Sequence, residues 1–154
     1  MKEQNKFKKG MVDVSAKKIT SRTARALATV ELGQKAYKAL VNHESPKGDV
    51  LETAKVAGIM AVKSTAQIIP MCHPLNISKV HVEFVCRKDK HAVDILTEVK
   101  FKGQTGVEME ALLGASAAAL TIYDMLKWAD KGIVISQVKL LSKTGGKSGR
   151  FKSA

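Results

Sequence analysis

The hydrophobic pattern along the chain changes period several times, and each change predicts an element. Met11 to Ser15 alternates apolar and polar and predicts a short strand or edge segment. From about residue 21 to 41, Ala24, Leu27, Ala28, Leu32, Ala36 and Leu40 recur at helical spacing and predict an amphipathic helix. Ser45-Pro46-Lys47-Gly48 then reads as a loop. A second helix starts at Asp49, with Glu52 three residues later forming a capping box. Its periodicity continues through Val56, Ile59, Met60 and Lys63. It must stop before Pro70, which has no backbone N–H to donate.

Met71 to Asn76 reads as a connecting loop. Lys79 to Cys86 alternates as a half-buried strand, and Val93 to Val99 is its hairpin partner across Lys88-Asp89-Lys90. Thr105 and Glu108 form another capping box, opening a long helix over roughly 107–131 that Gly132 would cap. Ile133 to Leu141 is the last predicted strand. The order is strand, helices, two paired strands, helix, strand. That order predicts an α+β ferredoxin-like sandwich, a mainly antiparallel sheet with helices on one face. So short a chain has no spare layer for the other face, so self-association is expected.

Composition adds bounds. One domain is expected over 11–141, flanked by a flexible basic tail at 1–10 and a flexible Gly/Lys-rich tail at 142–154. Hydrophobic residues make up 45% and charged residues 26%, normal for a globular protein. No apolar stretch looks long enough to span a bilayer, and the basic start lacks the apolar run of a secretory signal. Two cysteines, Cys72 and Cys86, are too few for a disulfide scaffold and suit a reducing cytoplasm. Lys and Arg number 26 against 14 Asp and Glu, a net charge of +12 that points to an anionic partner without naming one.

Chemistry concentrates on the long helix. Glu110 and Asp124 are fourteen residues apart, close to four turns, so they share a side but stand about 21 Å apart along the axis. One copy of the helix cannot bring both to one reacting centre. Glu108 and Glu110 point to opposite sides, and Glu108 is assigned to the capping box, which leaves Glu110 as the functional candidate. Asp124 and Lys127 at i and i+3 read either as a solvated ion pair or as an acid–base couple. His73 precedes Pro74, which holds it extended on a loop. Cys72 beside it finds no partners at zinc-ligand spacing. Lys47 stands just ahead of a helix start, where an anion is favoured, or is an ordinary loop lysine. Gly145-Gly146-Lys147-Ser148 imitates the end of a phosphate-binding loop, but Leu141 stands where the template needs glycine and no helix can follow.

Four blocks in this order resemble the cyclic pyranopterin monophosphate synthase family of molybdenum cofactor biosynthesis. They are Lys47–Val50, Ile69–Leu75, Lys102–Leu112 and Leu120–Lys127, and the similarity runs from Met11 to Gly149. Two departures, Met71 for Leu and Leu126 for Cys, do not touch the chemistry. The resemblance implies a lyase that converts 3′,8-cyclo-7,8-dihydroguanosine triphosphate to cyclic pyranopterin monophosphate and diphosphate. It implies a ferredoxin-like fold and a homohexamer, a trimer of dimers with the site at the dimer interface. By position, Asp124 corresponds to the catalytic acid–base residue, with Lys127 as its partner. Met71, Cys72, His73, Met109 and Glu110 fall at substrate-binding positions, and Lys47 and Lys147 match basic residues that hold phosphates or move protons. No metal or other cofactor is required, though Mg²⁺ accompanying the triphosphate stays open. The expected partner is the small-molecule substrate, with no nucleic acid and no membrane.

Two other classes fit parts of the pattern. A basic α+β RNA-binding module needs stacking aromatics on its sheet, yet Phe, Trp and Tyr total only 5%. A scaffold role would explain Gly114 to Ala119 as close helix packing, but leaves the charged helix ends without a purpose.

Overall fold

The computed structural model describes residues 9–154, so the basic stretch expected as a tail at 1–10 lies mostly outside the described residues. The first element is a strand, β1 (Thr20–Glu31), where the periodicity predicts a helix. Its buried positions are Arg22, Ala24, Ala26, Ala28 and Val30, every second residue. The expectation failed because Ala24, Ala28 and Leu32 lie four apart, a spacing common to a helical face and a strand face. Alanine's helix propensity is overridden here by backbone pairing on both edges of the strand. The helix begins only at Gly33, as α1 (Gly33–Val41). Met11 to Ser15 forms no strand; Asp13 turns the chain there by accepting the N–H and hydroxyl of Ser15 at 2.9 and 2.7 Å.

The chain continues through α2 (Val50–Lys63), a single turn α3 (Thr65–Ile68) and β2 (Lys79–Arg87). A 3₁₀ turn at Lys88–Lys90 leads to β3 (Ala92–Gly103), then α4 (Glu108–Leu126), β4 (Val134–Thr144) and β5 (Phe151–Lys152). The Asp49 carboxylate caps α2 by accepting Glu52 N–H at 2.9 Å. Glu52 does not reach back to complete a capping box; its carboxylate pairs with Lys55 at 2.7 Å. The buried stripe of α2 is Val50, Ala54, Gly58, Ala61 and Val62, while Val56 and Met60 face outward.

The sheet is antiparallel throughout, in the order β2-β3-β1-β4-β5, with β1 at its centre. This is a ferredoxin-like α+β arrangement. β4 runs through the boundary expected at residue 141, and the stretch expected as a flexible tail carries β5, paired to β4 at Ser142 and Lys143.

Small residues let α4 lie close on the sheet and on α2. Ala111, Ala115, Ala118, Ala119 and Ile122 are fully buried, facing the alanines of β1. At the α2–α4 crossing, a Cβ on Gly58 would sit 3.0 Å from Gly114 O, and one on Gly114 would sit 2.7 Å from Val62 Cγ2. The Gly114–Ala119 run therefore does what close packing demands. By length and composition α4 is apolar enough to cross a membrane, contrary to the expectation that no stretch is. Its buried face against sheet and helix accounts for that composition.

α4 is shorter than predicted. Val107 stands at its N-cap without a side-chain cap, so Thr105 and Glu108 form no capping box. Its last helical residue is Leu126, and Gly132 lies beyond it in a turn, where Asp130 accepts its N–H at 2.7 Å.

Candidate active site

α4 carries candidate chemistry at both ends. At its C-terminal end, Asp124 is gripped by two ammonium groups. Lys47 Nζ lies 2.7 Å from Oδ2, and Lys127 Nζ lies 2.9 Å from Oδ1. The Lys127 hydrogen bond foremost, and then that of Lys47, hold the Asp124 carboxyl down at about 2. The same bond to Asp124 pushes the Lys127 ammonium up. All three groups remain about half exposed, so a ligand can reach them.

Lys47 arrives there from 77 residues away because its loop is sharply defined. Pro46 fixes the second position of a turn closed by Gly48 N–H to Ser45 O at 3.2 Å, and Gly48 takes φ +100. The anion that Lys47 meets within the chain is the Asp124 carboxylate at the end of α4.

At the N-terminal end of α4, a pocket of about 230 Å³ is lined by Met71, Cys72, His73, Met109 and Glu110. The five candidates for substrate binding are thus one cluster. The loop after α3 supplies three of them and the first turn of α4 the other two. Glu110 is 4% exposed, and burial pushes its carboxyl up from its ordinary value. Burial also raises the Cys72 thiol, with Glu110 adding to the effect.

Glu108 lines the same pocket, correcting the expectation that only one of the two acids could face it. At the first helical position the pocket wraps over the helix mouth, where opposite sides of the axis are both accessible. Free of any capping task, Glu108 pairs with Lys143 Nζ at 3.0 Å.

Lys147 lies apart from that cluster, in a cleft of about 700 Å³ with Lys17, Lys18, Thr20 and Arg22. The Gly145-Gly146 bend sits against Arg22, and a Cβ on Gly146 would collide with the guanidinium. Arg22 is 9% exposed, and its Nε, like Thr20 Oγ1, is buried without a hydrogen-bond partner among the described residues. Unpaired buried donors beside three lysines suit an anion with several oxygens. Lys17 lines both this cleft and the Glu110 pocket, so the two adjoin. Gln104 holds that junction by donating from Nε2 to Ser15 O at 3.2 Å and Lys17 O at 3.1 Å.

The fold therefore brings the nine candidates together as a trio, a pocket and a basic cleft. The trio is not joined to the other two within one chain. Sequence reasoning missed Arg22, read as part of a helix, and Lys17, Lys18 and Glu108. The Lys17-Lys18 doublet was a visible signal, but nothing local tied it to the glycine-rich segment 130 residues later. Among the described residues no three His, Cys, Asp or Glu side chains converge as a metal's ligands would.

The MoaC family model matches residues 11–146. The chain is 50% identical over 143 residues to the cyclic pyranopterin monophosphate synthase of Staphylococcus carnosus, covering 92% of this chain and 89% of that protein. It is 55% identical over 144 residues to the synthase of Bacillus velezensis and 52% identical over 144 to that of Bacillus subtilis. Each match covers 92% of this chain and 85% of the relative.

Proposed function

The chain belongs to the MoaC family, and from that premise we propose that it is a cyclic pyranopterin monophosphate synthase. It converts 3′,8-cyclo-7,8-dihydroguanosine triphosphate to cyclic pyranopterin monophosphate and diphosphate in molybdenum cofactor biosynthesis. The observation that carries the residue assignment is the Asp124 carboxylate held at 2.7 and 2.9 Å by Lys47 and Lys127. Such a trio keeps a base ionised at neutral pH with two protonated donors beside it. Opening the guanine-derived ring and closing the pterin both need protons moved at short range.

Substrate recognition falls to the other end of α4. The pocket of Met71, Cys72, His73, Met109 and Glu110 would hold the ring system. Lys147, with Lys17, Lys18 and Arg22, would take the triphosphate and absorb the charge of departing diphosphate. No cofactor is called for in this division of labour. The separation along α4, about 21 Å between Glu110 and Asp124, is bridged when a second copy brings its trio to the first copy's pocket. Hence the working form is a homo-oligomer, a hexamer built as a trimer of dimers, acting in the cytoplasm. The outward-facing Val56, Met60 and Leu120 supply apolar surface for association.

Turnover of the cyclised triphosphate, followed by release of diphosphate, tests the reading directly. Lys127→Ala should abolish it with fold and oligomer intact; full turnover would refute the assignment. Sharing of the site is tested by mixing. Glu110→Ala and Asp124→Ala proteins, each inactive, should regain activity once their subunits exchange, and no recovery in verified mixed oligomers would sink the shared site.

A further inference from the structure

Ser45 is the least exposed residue between Val41 and Asp49. Its hydroxyl donates to Met125 O at 3.1 Å and accepts Lys47 N–H at 3.3 Å. The first bond reaches across 80 residues to the residue next to Asp124. Met125 O belongs to the last turn of α4, where carbonyls lack helical partners. Ala129, four residues on, gives its N–H to Leu126 O instead, at 2.9 Å. The vacant carbonyl is taken by Ser45 and, at 3.0 Å, by the indole N–H of Trp128.

Magnitudes explain why such a link matters. Lys47 and Asp124 side chains are 52% and 48% exposed. An ion pair that open contributes little, no more than the entropy lost in holding one long side chain still. It cannot by itself keep a loop docked on a helix. A part-buried hydroxyl on a short side chain adds a second, independent tie, since it loses little rotamer freedom in bonding a helix-terminal carbonyl. The same oxygen then fixes the N–H of Lys47, so one atom ties helix end and lysine backbone together.

We propose that Ser45 is a positioning residue that seats the Lys47 ammonium on Asp124 by anchoring the Ser45–Gly48 turn to Met125 O. The catalytic consequence rests on the reading of Asp124 and Lys47 given above; the anchoring itself does not.

Competitive acetylation with acetic anhydride, quantified lysine by lysine by mass spectrometry on the full-length protein, separates the two. In Ser45→Ala, labelling of Lys47 should rise about fivefold, the factor expected for losing one hydrogen bond. Labelling of Lys38 and Lys63 should stay unchanged. Ser45→Thr keeps the hydroxyl and should return Lys47 to its wild-type rate. Wild-type labelling of Lys47 in Ser45→Ala overturns the proposal, as does an equal rise at all three lysines. Turnover on the cyclised triphosphate is read alongside. A selective Lys47 rise with a lower kcat and unchanged KM supports both statements. A selective rise with unaltered turnover supports the anchoring and refutes the catalytic use of Lys47.

Discussion

The two ends of α4 each hold a carboxylate, and they are tuned in opposite directions. Glu110 is buried, and the missing water favours its neutral form. Asp124 is half exposed, and two ammonium groups favour its ionised form. One helix thus offers an acid that tends to keep a proton and one that gives it up. The difference teaches that position on an element decides little; what surrounds the carboxylate decides its chemistry.

The sharpest way to break the comparison is to remove the ionised partner. Asp124→Ala should lower turnover by about 10²–10⁴-fold, the usual worth of a positioned acid or base. Circular dichroism and elution volume should not change, because the side chain supports no buried contact. Next in size is an attack on what holds the two ends in register. Gly114→Leu drives a side chain into Val62, whose Cγ2 would be 2.7 Å from the new Cβ. Destabilisation of about 1–3 kcal/mol in urea unfolding is expected.

A smaller effect sharpens the Glu110 side. Its folded carboxyl lies above its ordinary value of 4.5, so folding favours the protonated form. The stability this brings is complete below 4.5 and is lost as pH rises through the folded value. Glu110→Gln removes that dependence. Its melting temperature should therefore gain on the wild type between pH 4 and 7, while substrate binding weakens. No relative gain across that range would mean the carboxylate is solvated.

The smallest change concerns Asp124, with the opposite sign. Its folded carboxyl, at about 2, lies below its ordinary 3.8, so the stability it contributes is present above 3.8 and fades as pH falls toward 2. Lys47→Ala should raise the Asp124 titration, followed by carboxyl-carbon NMR, only part of the way to 3.8, since Lys127 remains. A value unmoved from about 2 would show that Lys47 plays no part in the tuning.

Much of the site was legible because its residues cluster along the chain. Met71, Cys72 and His73 are consecutive, Met109 and Glu110 adjacent, and Asp124 and Lys127 one turn apart. Each short block folds as a unit, so its members stay together. The antiparallel hairpin of β2 and β3 was legible for the same reason, as alternation over a strand pair joined by a tight turn. Arg22 was not. It sits in a run of alternating alanines whose four-residue spacing satisfies both periods, and only its neighbours in the sheet select the strand. Nor could local pattern show that Glu108 is free of a capping task, since that depends on where the backbone before it turns.

What the chain determined unaided is the set of local units: the capped start of α2, the Ser45–Gly48 turn, the small-residue face of α4 and the acids along it. These depend on interactions within a few residues, which sequence spacing records. Tertiary structure alone decided that residues 20–31 extend as a central strand, that Lys47 meets Asp124, and that Lys147 faces Lys17 and Arg22. Those outcomes require partners some 60 to 130 residues away along the chain. Which distant backbone or charge arrives is settled by packing of the whole core, and no window of sequence contains it.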